Sequence, residues 1–223
     1  MGYRVEESRS VGRLLEVQTD SATVEANLSI PEGAQSIVLF AHGTGSSRHS
    51  SRNRFVAEAL NEGGLATLLI DLLTPDEKRR DLMTREVRFD IDRLGKRVTG
   101  AVDWLAENEE TRDLKIGCFG SSTGAASALI AAANRPDLIK AVVSRGGRVD
   151  MAKDVLEAVE APTLCIVGGR DVQVLAVSRW ALQRMDVEKG LEIVADAGHL
   201  FEEPGALEEV ARLTREWFQD HLG

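Results

Sequence analysis

Residues 115–133 read KIGCFGSSTGAASALIAAA: a short apolar run, a serine set between glycines, and an alanine-rich segment. Ile116 to Phe119 has the length and character of a strand buried on both faces, and the alanine density from Ala125 to Ala133 predicts a helix. Between them, Gly120-Ser121-Ser122-Thr123-Gly124 is a G-x-S-x-G pattern, the strand-to-helix turn that holds a serine hydroxyl on a sharp, strained bend above a sheet. Glycines at both ends remove the β-carbons that would collide where strand and helix approach. The first amides of the following helix, and its dipole, point to where an anion would form. A plain small-residue turn packing a helix on a sheet would use the same residues, so the partners of Ser122 decide its reading.

Working outward, the chain alternates short apolar runs with helical patterns. Arg13 to Gln18 and Thr23 to Ile30 alternate in polarity around Thr19-Asp20-Ser21, which predicts an antiparallel hairpin. Ser36 to Ala41 (SIVLFA) is an uninterrupted buried strand that stops at His42-Gly43-Thr44-Gly45. A helix over Asn53 to Asn61 and a strand over Leu65 to Ile70 follow. Residues 72–88 are charged and weakly periodic; the reading favours a solvated helical connection over a short lid. Phe89 to Asn108 is a long helix leading into the serine-bearing strand. Beyond it come a strand over Leu138 to Ser144, a helix near Ala152 to Val159, a strand over Thr163 to Val167 and a helix over Val174 to Met185. A strand over Leu191 to Ala195 and an amphipathic helix over Gly205 to Leu222 end the chain. This order predicts an α/β fold, a mainly parallel sheet with an N-terminal antiparallel hairpin and helices on both faces, in one domain over 1–223.

The formal net charge is -9 with acids and bases interspersed, which argues against nucleic acid or an anionic membrane as a partner. No run of eighteen apolar residues occurs, and MGYRVEESRS lacks the apolar core of a signal peptide, so a soluble, cytoplasmic chain is expected. Cys118 and Cys165 sit inside strand-like runs and have no metal-ligand spacing, which predicts buried free thiols and no metal. No cofactor is called for, and oligomeric state is not legible.

Ligands of such sheets bind beyond the carboxyl ends of the strands, and the unusual polar clusters fall there: His42 to Gly45, Ser122, Arg145 to Arg148, Asp171 and His199. A serine needs a base, and histidine has the suitable ordinary pKa. Of four histidines, His42 sits in a glycine turn, His49 in a polar loop and His221 in the last helix, whereas His199 follows a late strand after a glycine. Asp171 is the expected carboxylate that orients it, with Asp196 second and Asp71 third. The backbone amides of Thr44 and Thr123 are the expected oxyanion donors. Arg145, Arg148 and Arg48 could hold a substrate carboxylate, though ordinary ion pairing is favoured for them. Only residues 72–88 could add depth, so a shallow pocket preferring acetyl to butyryl groups is expected.

At this point the chain resembles the α/β-hydrolase fold and, within it, the dienelactone hydrolase family. HGTG at 42–45, GSSTG at 120–124, GGRD at 168–171 and GH at 198–199 carry the likeness, together with the order Ser122, Asp171, His199. SSRHSSRN at 46–53, SRGGR at 144–148 and HLFEEPG at 199–205 are similar to stretches of small bacterial hydrolase domains, some fused to phosphoribosyltransferases. The resemblance implies a serine hydrolase acting on small carboxyl esters or lactones without metal or cofactor. The family's namesake carries cysteine where this chain has Ser122, which points away from dienelactone itself. An acyltransferase or perhydrolase with the same three residues, or a non-catalytic binding protein on the same fold, are the alternatives.

Overall fold

The computed structural model describes residues 12–19 and 22–223, so Asp20 and Ser21 of the expected hairpin turn lie outside the described residues. Strands β1 (Arg13–Gln18) and β2 (Thr23–Ser29) pair antiparallel with Val17 opposite Val24. Their alternation buries Val17, Val24, Ala26 and Leu28 and turns the residues between them outward. The other strands are β3 (Ser36–Ala41), β4 (Ala66–Ile70), β5 (Lys115–Ser121), β6 (Ile139–Arg145), β7 (Thr163–Gly168) and β8 (Lys189–Val194). They complete an eight-stranded sheet in the order β1-β2-β4-β3-β5-β6-β7-β8. From β4 to β8 every pairing is parallel; β2 runs antiparallel to both its neighbours.

Every residue of β3, β4 and β7 is buried, as the unbroken apolar runs predict for strands covered on both faces. Helices α1 (Ser51–Glu62) and α6 (Ala206–Leu222) cover one face; α3 (Ile91–Glu107), α4 (Thr123–Asn134) and α5 (Val172–Leu182) cover the other. Phe40 and Phe119, opposite each other on the central strands, stack at 4.7 Å under α6. Sequence order reverses about β3: the chain leaves it toward β4 and later returns as β5 on its other side. The loops after β3 and β5 therefore diverge over one crevice, the place where such sheets bind ligands.

Residues 72–88 contain the helical connection that the sequence favours, a ten-residue helix, α2 (Pro75–Thr84). Its start is well specified: Thr74 and Glu77 make a reciprocal capping box, and Pro75 needs no N–H partner at the first turn. The helix expected near Ala152 to Val159 is instead two separate 3-10 turns, Val149–Ala152 and Leu156–Ala158. Val149, Ala152, Leu156 and Val159 still face the core at helical spacing, so the periodicity is real but is spread over two tight turns. No helix among the described residues is long and apolar enough to cross a membrane.

Truncating the central aromatic pair gives a direct check on this core. Phe119→Ala is expected to lower unfolding stability by about 3–5 kcal/mol in denaturant titrations, with the fold retained.

Candidate functional site

Ser122 stands between β5 and α4 with φ 52° and ψ −123°, a conformation that side-chain-bearing residues rarely adopt. Its N–H donates to Arg145 O (3.1 Å), and its carbonyl accepts from Ala125 N (3.1 Å) and Arg148 N (3.0 Å). The glycines around it are required by space. A β-carbon on Gly120 would lie 2.4 Å from Ala125 Cα, and one on Gly124 would lie 2.3 Å from Ala41 O. Helix α4 is thereby backed against the end of β3, and the serine is pushed up into the crevice.

The His199 Nδ1–H donates to Asp171 Oδ2 at 2.6 Å. That bond leaves Nε2 as the lone-pair nitrogen. Asp171 also caps α5, accepting from Val174 N at 3.3 Å through Oδ1, so the helix cap and the histidine contact are two uses of one carboxylate. Close loop packing brings the pair together: Arg170 N donates to Ala197 O (3.0 Å), and a β-carbon on Gly168 would lie 2.5 Å from Ala197 O. Asp196 is exposed and Asp71 lies with Arg48 and Lys78, so neither occupies the Asp171 position. Ser122 and His199 line one small cavity, but Ser122 makes no side-chain hydrogen bond among the described residues. Such contacts commonly close only when substrate is bound.

Glu203 was not singled out as functional in the sequence, although it lies within HLFEEPG. It accepts from Gly198 N (3.1 Å) and Arg170 Nη2 (2.8 Å), fixing the turn that presents His199 to the one that presents Asp171. His42 is structural. Its Nδ1–H donates to Gly43 O (2.9 Å) and Nε2 accepts from Leu72 N (3.0 Å), while burial lowers its pKa and keeps the ring neutral.

The two amides expected as oxyanion donors differ. Thr123 N–H, at the first turn of α4, has no acceptor among the described residues. Thr44 N–H donates to Thr123 Oγ1 at 2.8 Å, and the two hydroxyls are also 2.8 Å apart. Thr44 is therefore not a free donor at rest.

The arginines separate cleanly. Arg148 is held by Asp150 (2.9 and 2.8 Å) and Arg48 by Asp71, Glu25 and Asn27, as ordinary ion pairing predicts. Arg145 lines the cavity with Ser122 and His199. Cys118 and Cys165 are buried, and burial raises both thiols to about 12. No group of three or more His, Cys, Asp or Glu among the described residues could hold a metal ion.

Next to the small cavity that Ser122 and His199 line, the fold builds a larger one that the sequence does not lead one to expect. Beside Thr44 and Thr123 lies a second cavity of about 550 Å³ with Leu72, Leu73, Leu82 and Leu94 on its walls. Helix α2 supplies the depth and is tied down at several points. The buried Arg97 of α3 bonds Glu77 (2.5 and 3.1 Å) and Leu72 O (2.8 Å). Arg88 bonds Asp81 (2.5 and 2.9 Å), and Lys78 lies 3.4 Å from Asp71. A count of residues beyond the core elements misses this wall because its depth comes from where ion pairs hold the helix.

A dienelactone hydrolase family model matches residues 24–222. The chain belongs to the dienelactone hydrolase family. A dienelactone hydrolase from Anabaena variabilis has a crystal structure similar to this one, with 55% identity and a TM-score of 0.93 over 95% of this chain and 98% of that one. Est1E from Butyrivibrio proteoclasticus shares the fold at 18% identity, with a TM-score of 0.76 over 93% of this chain and 98% of that one. Two curated proteins from strains of Mycobacterium tuberculosis, provisionally named phosphoribosyl transferases, are each 50% identical over 208 residues, which is 93% of this chain. The chain spans 46% of their length. The polar residues above lie at the crevice of this fold.

The anchors of α2 carry a pH signature. Burial alone would raise Glu77, but its hydrogen bonds to Arg97 and to the Thr74 backbone outweigh it and hold the carboxyl below its ordinary 4.5. Asp71 is likewise raised by burial and lowered more by the Arg48 amide, Lys78 and Arg48, to below its ordinary 3.8. A depressed folded-state pKa stabilises above the unfolded value, and that contribution is lost as pH falls through the folded one. Glu77→Gln should therefore cost about 3 kcal/mol at pH 7 and show a smaller stability loss than wild type between pH 5 and pH 3. Parallel pH profiles for the two proteins would show that the Glu77–Arg97 pair does not anchor α2.

Proposed function

We propose that this chain hydrolyses small carboxyl esters or lactones through an acyl-enzyme on Ser122. The observation that carries the reading is the 2.6 Å bond from His199 to Asp171 in the cavity that Ser122, at φ 52°, also lines. Ser122 Oγ attacks the acyl carbon as His199 Nε2 takes its proton; Asp171 fixes the ring and stabilises the imidazolium. The same nitrogen then protonates the leaving alcohol oxygen, and water repeats the sequence to release the acid. The carbonyl oxygen, as it gains charge, is received by the free Thr123 amide. It also replaces Thr123 Oγ1 as acceptor of the Thr44 amide, the two threonine hydroxyls remaining paired with each other.

The cavities divide the substrate. Because His199 must protonate the departing oxygen, the alcohol portion occupies the cavity that His199 lines. The acyl chain is then directed past Thr44 into the leucine-lined cavity under α2.

A fluorophosphonate probe should label Ser122, read by peptide mass spectrometry, and Ser122→Ala should abolish labelling and reduce ester turnover by up to about a million-fold. Asp171→Asn should cost on the order of ten-thousand-fold, against little for Asp196→Asn. A folded protein that the probe leaves unmodified would instead be a binding protein on this fold.

The acyl-side cavity makes a second prediction. kcat/KM should climb from acetyl through hexanoyl esters by about fourfold per methylene, the equivalent of roughly 0.8 kcal/mol for each one buried. A profile that peaks at acetyl would show that the leucine-lined cavity does not receive the acyl chain.

A further inference from the structure

Arg145 ends β6 and is only 7% exposed. Its Nε and Nη1 are buried with no hydrogen-bond partner, and no carboxylate among the described residues pairs with it. Burial, and after it the like charge of Arg52, lower its pKa to about 10, which still leaves a cation at neutral pH. A buried, uncompensated charge strongly destabilises a fold, so its natural complement is an anion that arrives with a ligand.

The surroundings share this polarity. The cavity, of about 250 Å³, is lined by Arg145, Arg52, Ser46 and Ser50 together with Ser122 and His199. Arg52 is partly held by the exposed Glu202 at 3.2 Å, but its Nε is buried and unpartnered. Ser50 caps α1 by accepting from Asn53 N, which leaves its O–H to donate. Helix α1 has no acidic residue in its first turn, so its positive end is uncompensated there.

We propose that this cavity binds a phosphate monoester group on the alcohol portion of the substrate, making the substrate class an acyl ester of a small phosphorylated alcohol. The inference rests on the reading of Ser122 and His199 given above, since His199 places the alcohol on this side. Two guanidiniums, two hydroxyls and a helix N-terminus offer more donors and more positive charge than one carboxylate accepts. A phosphate dianion with three terminal oxygens matches them. The reaction is otherwise unchanged: the Ser122 Oγ–acyl bond forms, the acyl–oxygen bond to the alcohol breaks, and that oxygen leaves with the His199 proton and its phosphate intact.

The test compares acetate release from 2-acetoxyethyl phosphate, 3-acetoxypropanoate and the neutral 2-methoxyethyl acetate by wild type, Arg145→Met, Arg145→Lys and the more exposed Arg52→Met. Ratios between substrates, compared across variants, cancel differences in leaving-group reactivity. The phosphate ester's advantage in kcat/KM should fall roughly ten- to hundredfold in Arg145→Met, with a smaller fall in Arg145→Lys and Arg52→Met. Inorganic phosphate, at matched ionic strength, should inhibit turnover of the neutral ester competitively and raise the melting temperature of wild type but not of Arg145→Met. Equal ratios in all variants, or a wild type that favours the carboxylate over the phosphate, would overturn the proposal. If none of the esters is turned over, the hydrolase reading fails by itself, and the melting experiment still decides the subsite: no Arg145-dependent rise with phosphate means no anion site.

Discussion

The close approach of helix α4 to the end of strand β3 is the constraint on which the rest of the site depends. Gly124 lies so near Ala41 O that a β-carbon would sit 2.3 Å away, and Gly120 meets α4 with equal lack of space. Only with both side chains missing can the helix start directly over the sheet. The residue between them must then turn through positive φ, and that residue is Ser122. Strain at one residue is maintained by packing of many others, since the strand below is buried from Ile116 to Ser121 and the helix above from Thr123 to Ala132.

Once the serine is fixed, the remaining groups are delivered by the parallel sheet. Strands β3, β5, β6, β7 and β8 point the same way, so their exit loops assemble at one edge. The histidine and aspartate come from different loops, and what joins those loops is backbone packing at Gly168 and the side chain of Glu203. Electrostatics then divides the edge in two. On one side, α2 is clamped by ion pairs over a leucine-lined cavity; on the other, Arg145 and Arg52 stand beside the histidine with little to neutralise them. The charge on the chain as a whole is negative, so this local excess of positive charge is a property of the site and not of the composition.

Much of the fold was legible because it depends on short-range pattern. The unbroken apolar run at 36–41 marked a strand covered on both faces, and that strand is buried at every position. The serine turn was legible for a related reason: two glycines flanking a serine between a strand and an alanine-rich helix specify a backbone geometry locally. The split of the expected helix near Ala152 into two 3-10 turns was not legible, because periodicity reports which residues face the core and not whether the hydrogen bonds between them are continuous.

By itself, then, the sequence determined the order of elements, the strand ends at which polar residues gather, and the identity of the single histidine that follows a late strand. Tertiary structure decided the contacts. Asp171 and Asp196 were both within reach of His199 on sequence order, and only the packing of the loops after β7 and β8 put one carboxylate against the ring. Arg145 and Arg148 were equivalent as two arginines three residues apart; the fold gave one a carboxylate partner at the surface and buried the other without one. The Thr44 amide, expected free, found the Thr123 hydroxyl, and a segment expected to add little depth became the wall of a cavity. Each of these depends on side chains from elements far apart in the chain meeting within a few ångströms, a distance that neither spacing nor composition encodes.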